Sequence, residues 1–229
     1  MNLALPPYTM RYSKKAKYLQ IRIVNCSLEI VIPNKKRVTS QDIITFIQKK
    51  QAWINRNITL IQDPTLPTDI SLPAIQQAWQ VKYLATEHPG ITLLTNPSQQ
   101  LTLIGNTTNI PLCFKKLREW LRQLAGHHLP LTLQQLSQET GLTFQRLQIR
   151  HNTTRWGSCS SKQHINLCCK LLFLPPALVR HILLHELCHT RIMRHNKAFW
   201  QLLDSLDNLT TLHRKQIHTV TRQLPSWTL

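Results

Sequence analysis

The 229-residue sequence predicts an α+β fold, strand-rich in its first half and helical in its last third. Three observations carry that expectation. Apolar and polar residues alternate with period two early in the chain, apolar residues recur at helical spacing late in it, and prolines and glycines punctuate the transitions. The length admits one large domain or two small ones. The expected division is a strand-rich region over 1–108 and a second region over 109–229, with one continuous domain as the alternative.

The elements follow in order. Tyr18–Val24 alternates, a short Asn25-Cys26-Ser27 link intervenes, and Leu28–Ile32 continues to Pro33, which predicts a hairpin. Thr39 and Asp42 form a capping signal for a helix from Gln41 to about Asn57, with Ile43, Ile44, Ile47 and Ile54 on its core face. The proline-rich stretch Asp63–Pro73 reads as a connecting loop. Strands are expected at Trp79–Ala85, Ile91–Thr95 and Leu101–Ile104. Asn109 and Pro111 open a helix to about Ala125, and a short helix over Thr132–Thr140 ends at Gly141. Strands follow at Thr143–Arg150, Arg155–Cys159 and Gln163–Leu167. Helices are then expected at Pro176–Met193, Lys197–Leu206 and Leu209–Gln223.

Composition narrows the functional classes. Apolar residues make up 42% of the chain, yet no run reaches the 18 or more apolar residues of a membrane-spanning helix. The most apolar stretch, Ile165–Val179, is interrupted by Lys170 and by Pro175-Pro176. Met1–Pro7 lacks the basic start, apolar run and cleavage site of a secretory signal, so a cytoplasmic location is expected. The six cysteines form no C-x-x-C pair and no regular framework, and free thiols are expected. A net charge of +18 favours anionic partners and makes nucleic acid a candidate partner beside a protein or peptide substrate; the alternative is a solvated basic surface.

The chemistry concentrates in His185-Glu186-Leu187-Cys188-His189, an H-E-x-x-H sequence. Residues four apart on a helix share a face, so the two imidazoles can converge on one zinc ion while Glu186 reaches a water bound beside them as general base. A catalytic zinc takes three protein ligands and keeps one position open. His195, six residues after His189, is the leading third ligand, with Asp204 as runner-up. Ile192 stands where the H-E-x-x-H-x-x-G-x-x-H pattern has its turn glycine, so the chain must reverse differently, near Arg194–Asn196. His181, one turn before His185, is expected beside the site rather than in it. His127, His128, His151 and His164 have no comparable spacing.

Taken together, Arg155-Trp156-Gly157-Ser158-Cys159-Ser160-Ser161, Ile165-Asn166-Leu167, Pro175-Pro176, His185–His189 and His195 with Phe199-Trp200 resemble the YgjP-like metallopeptidase family, a relative of the SprT-like proteases. The likeness is dense over Phe144–Leu203 and looser over Tyr18–Ile58. It implies a zincin-like α+β fold, one zinc on the three histidines, and peptide-bond hydrolysis. Arg155 and Trp156 are candidate substrate-binding residues on a cleft strand, against a purely structural role for both. Ser158 and Cys159 lack triad partners in the sequence, which argues against a serine or cysteine protease. The rival readings are a DNA-associated protease that uses the basic surface, a non-catalytic basic module that holds zinc structurally, and hydrolysis of a non-peptide amide by the same site.

Overall fold

The computed structural model describes residues 8–24, 27–34, 38–57 and 65–228. The residue contacts divide the chain into two compact units, Met1–Leu66 with Leu229 and Pro67–Thr228. This contact division lies at 66/67, within the expected first region. The physical reason is packing across the expected boundary: Trp79 meets Trp120 edge-on at 5.3 Å, and the buried Cys113 thiol donates to the Thr107 carbonyl.

In the first unit, strands β1 (Tyr8–Ser13), β2 (Gln20–Val24) and β3 (Ser27–Pro33) form a sheet of order β1-β3-β2. The expected hairpin is the antiparallel β2–β3 pair, with Ile21 opposite Ile30; Asn25 and Cys26 of its link lie outside the described residues. Strand β1 adds a parallel pairing to β3 that the sequence reading did not contain. The expected single helix is two, α1 (Ser40–Lys49) and α2 (Gln51–Asn57). Thr39 and Asp42 cap α1 reciprocally, as expected. Leu28, Ile30, Ile32, Ile47 and Ile54 make the core of this unit.

The second unit holds two sheets. Strands β4 (Asp69–Leu72), β5 (Gln77–Ala85), β6 (Ile91–Thr95) and β7 (Gln100–Gly105) run in the order β4-β5-β7-β6. Strand β4 occupies part of the expected loop, because its backbone pairs antiparallel with Gln77–Gln80. The helix α3 spans Ile110–Thr140 without the expected break near Ala125. A proline inside a helix costs about 3 kcal/mol, but Ala125, Leu129, Leu133 and Leu136 keep a continuous buried stripe past Pro130. Gly141 ends α3 with φ 69°, a left-handed conformation that glycine adopts freely.

The second sheet is β8-β10-β9, built from β8 (Arg146–Arg150), β9 (Gly157–Cys159) and β10 (His164–Cys168). Strand β9 is its end strand and pairs antiparallel with β10, Gly157 opposite Leu167 and Ser158 opposite Asn166. Three helices follow: α4 (Pro176–Arg191), α5 (Lys197–Leu206) and α6 (Thr210–Thr221). Proline at the first turn of α4 sacrifices no helical hydrogen bond. Leu183, Leu184, Leu187 and Cys188 are fully buried, each large apolar side chain contributing about 1.5–3 kcal/mol of transfer free energy. Among the described residues, no helix is long and apolar enough to cross a membrane.

Candidate metal centre

Helix α4 positions the histidine pair. His185 and His189 lie one turn apart on its last two turns, and their Nε2 atoms are 3.1 Å from each other. The helix stops at Ile192, whose backbone is extended at φ −130°. The chain then reverses through a turn in which the Asn196 N–H donates to the Arg194 carbonyl, and the Asn196 side chain caps α5 by accepting from the Phe199 N–H. None of these residues needs a positive φ, which is why the reversal works with isoleucine at the place of the turn glycine. The reversal brings His195 back, its Nε2 3.0 Å from those of both His185 and His189.

Three imidazole nitrogens at the corners of a triangle of 3.0–3.1 Å edges cannot satisfy one another. A neutral imidazole carries one N–H, and here the His189 Nδ1–H donates to the Ile192 carbonyl at 3.1 Å, leaving Nε2 as a lone pair. Tetrahedral zinc with bonds of about 2.0–2.1 Å holds its nitrogens about 3.3 Å apart. The observed edges are close to that spacing, so His185, His189 and His195 would fit such an ion, and the ring–carbonyl bond fixes the His189 tautomer that would leave Nε2 free to ligate it. Burial, with His189 and His195 adding to it, pushes the His185 pKa down to about 3, and burial lowers that of His189. Both rings are neutral at pH 7, the state that ligates metal.

Aromatic packing holds the rings in place. Phe199 is fully buried and meets all three, stacked on His189 at 4.6 Å and edge-on to His185 and His195 at 4.9 and 4.8 Å. Trp200 stacks on His195 and donates its Nε1–H to the His195 carbonyl at 3.2 Å, and the Arg214 guanidinium covers the indole at 4.4 Å.

Glu186 is 5% exposed, and its Oε2 is buried without a hydrogen-bond partner among the described residues. Burial raises its pKa to about 8, against the opposing pull of Arg155. The carboxylate lies against the backbone of β9: a Cβ on Gly157 would come within 2.5 Å of Glu186 Oε1 and 2.7 Å of Cγ. The glycine between Trp156 and Ser158 therefore makes the space that Glu186 occupies.

Of the other residues singled out from sequence, Arg155 is exposed and precedes β9, near enough to act on the Glu186 charge. Trp156 also precedes the strand, and its carbonyl accepts from the Cys168 N–H at 2.8 Å. Asp204 is exposed and stands outside the imidazole group, so His195 occupies the third position of the triangle. His181 does lie beside the site, but in a cluster that the sequence reading missed. Asp207 Oδ2 accepts from His181 Nδ1 at 2.5 Å and from His213 Nδ1 at 2.8 Å. The only sequence signal for it was the one-turn offset of His181 from His185; Asp207 and His213 come from later segments. Cys113, Cys159, Cys168, Cys169 and Cys188 are free thiols, as expected, and Cys26 lies outside the described residues.

Two imidazoles on α4 and a third from the turn after it converge into a group that could hold a metal ion, with a buried carboxylate beside them, in a protein with mixed α and β structure. The chain belongs to the YgjP-like family: the model of the YgjP-like metallopeptidase domain matches residues 17–219. That family membership makes it a metallopeptidase-domain protein and supports a hydrolase. No curated protein and no solved structure matches the chain.

Proposed function

We propose that this chain is a zinc-dependent peptidase in which His185, His189 and His195 hold the metal and Glu186 is the general base. The observation that carries the reading is the 3.0–3.1 Å triangle of Nε2 atoms with an unpartnered, buried carboxylate next to it. Zinc held there would supply Lewis acidity, lowering the pKa of a water and polarising a carbonyl, and a charge that favours the ionised form of Glu186. Glu186 accepts a proton from the attacking water through Oε2, which has no competing partner, and returns it to the leaving amine. Gly157 leaves the Glu186 carboxylate room to pack against the backbone of β9. The end strand β9 offers its unpaired backbone to an extended peptide, which would lie across Glu186, with Arg155 and Trp156 at its entry.

The test is metal analysis and hydrolysis of casein or a peptide library by the wild-type chain and by Glu186→Gln. One zinc per chain in both proteins, with hydrolysis in the wild type and a loss of about a thousandfold in the variant, supports the reading. Zinc in both proteins with hydrolysis in neither favours a structural zinc module instead. A second reading, association with DNA, draws only on the +18 charge; proteolysis stimulated by DNA and weakened by salt would support it.

A further inference from the structure

The face of the β8-β10-β9 sheet turned away from α4 carries a second feature. Strand register sets Gln148, Asn166 and Ser158 side by side. Side chains alternate along a strand, so this row lies opposite the face on which Gly157 meets Glu186 and on which Ile165 and Leu167 are buried. A cavity of about 570 Å³ opens there, and Arg150, Arg155, Ser158 and Asn166 line it.

The charge of this region is one-sided. Between Glu139 and Glu186 the sequence contains six cationic residues, Arg146, Arg150, Arg155, Lys162, Lys170 and Arg180, and no acidic one. Arg180 pairs with Glu139. Among the described residues, the Arg150 guanidinium donates to the neutral amide of Gln148, at 3.2 and 2.6 Å. Among the described residues, neither Arg150 nor Arg155 has a salt bridge. Ser158 Oγ accepts from Asn166 Nδ2 at 3.4 Å, which leaves its O–H free to donate. Two guanidiniums without a salt bridge among the described residues, Arg155 also within electrostatic reach of Glu186, line one cavity with a free hydroxyl and match a carboxylate, which guanidinium binds through paired N–H donors.

We propose that this cavity is an acid-selecting subsite of the peptidase, accepting an Asp or Glu side chain of the substrate. The inference rests on the peptidase reading above. A peptide that adds to the free edge of β9 alternates its side chains between the two faces. Residues oriented like Gly157 face Glu186, and those oriented like Ser158 reach the space between Arg150 and Arg155. Acidic residues are therefore selected at alternate positions along the bound segment. A nucleic acid is the weaker match, because among the described residues no Trp, Tyr or Phe lines the cavity to stack on a base, and its one ring, His151, has Nε2 buried.

Digestion of a random peptide library by the zinc-loaded full chain, with sequencing of the products, tests the subsite. Asp and Glu are expected to be enriched at alternate positions near the cleavage point. A matched peptide pair with Glu or Gln at the enriched position should differ about tenfold in kcat/KM, mostly through KM. Arg150→Gln, verified as folded by thermal unfolding, should bring that ratio close to one, and Arg150→Lys should keep part of it. Cleavage without acidic preference, or a preference unchanged in both Arg150→Gln and Arg155→Gln, overturns the proposal. If the wild type cleaves no peptide, the peptidase reading fails by itself, and the subsite is judged by fluorescence anisotropy of the same labelled peptides on Glu186→Gln. Tighter binding of the Glu peptide sustains it and equal binding overturns it. Arg150-dependent displacement of the Glu peptide by a thymidine oligonucleotide at lower concentration assigns the cavity to nucleic acid and likewise overturns it.

Discussion

Helix α4 serves two clusters of three polar side chains, and they end differently. In the first, His185, His189 and His195 point three Nε2 atoms at one another with no acid among them. In the second, His181 and His213 both donate to the Asp207 carboxylate, whose other oxygen accepts from the Leu209 N–H. Burial opposes ionisation of Asp207, yet the bonds from His213 and His181 hold its pKa below the usual carboxylate range. The second cluster closes itself and clasps α4 to α6 and the turn before it. The first cannot close without a cation. The same residue type, one helical turn apart, is thus left with a free nitrogen lone pair or made a strut according to whether a carboxylate reaches it.

Removing one imidazole breaks the first cluster outright. His189→Ala should lower zinc affinity by more than the 10- to 100-fold that loss of an outer partner typically costs, read by competition with a chelating dye. Gly157→Ala should come next. Its Cβ would collide with Glu186, so hydrolysis should fall at least about tenfold while zinc stays bound; loss of zinc together with activity would contradict the steric account. Asp207→Asn should act on the fold instead, costing about 1–3 kcal/mol in urea unfolding through its two buried imidazole partners. Zinc stoichiometry should remain one. A drop from two ions to one would instead make the second cluster a metal site.

A further effect is read across pH. His151 Nε2 is buried without a partner, and burial, helped by the Lys170 and Arg118 charges, depresses its pKa to about 4. The unfolded ring titrates near 6.5. The folded state therefore binds this proton less readily, and the stability contribution present above pH 6.5 is lost as pH falls toward 4. His151→Gln should flatten the decline in urea midpoint between pH 6.5 and 4 relative to wild type.

The sequence made the metal centre legible because its geometry is local. An i, i+4 spacing on a helix and a third histidine six residues on need no distant partner to be read. The α1 capping box and the strand Ile91–Thr95 were legible for the same reason. What escaped was set by pairing at a distance. Strand β1 is almost wholly exposed and lacks alternation; it exists through its ladder to β3. Strand β4 is four residues between prolines, held by β5. The run of α3 through Pro130 was decided by the buried stripe on either side, and the split at 66/67 by packing such as Trp79 on Trp120. Asp207 and His213 became a clasp only when α6 folded back onto His181.

The most direct measurement is zinc titration of the metal-free full chain, beside His185→Ala, His195→Ala and His181→Ala. The account predicts one ion per chain in the wild type and in His181→Ala, with binding strongly weakened in the other two variants. Wild-type protein that takes up no zinc, or undiminished binding in His185→Ala and His195→Ala, would contradict it.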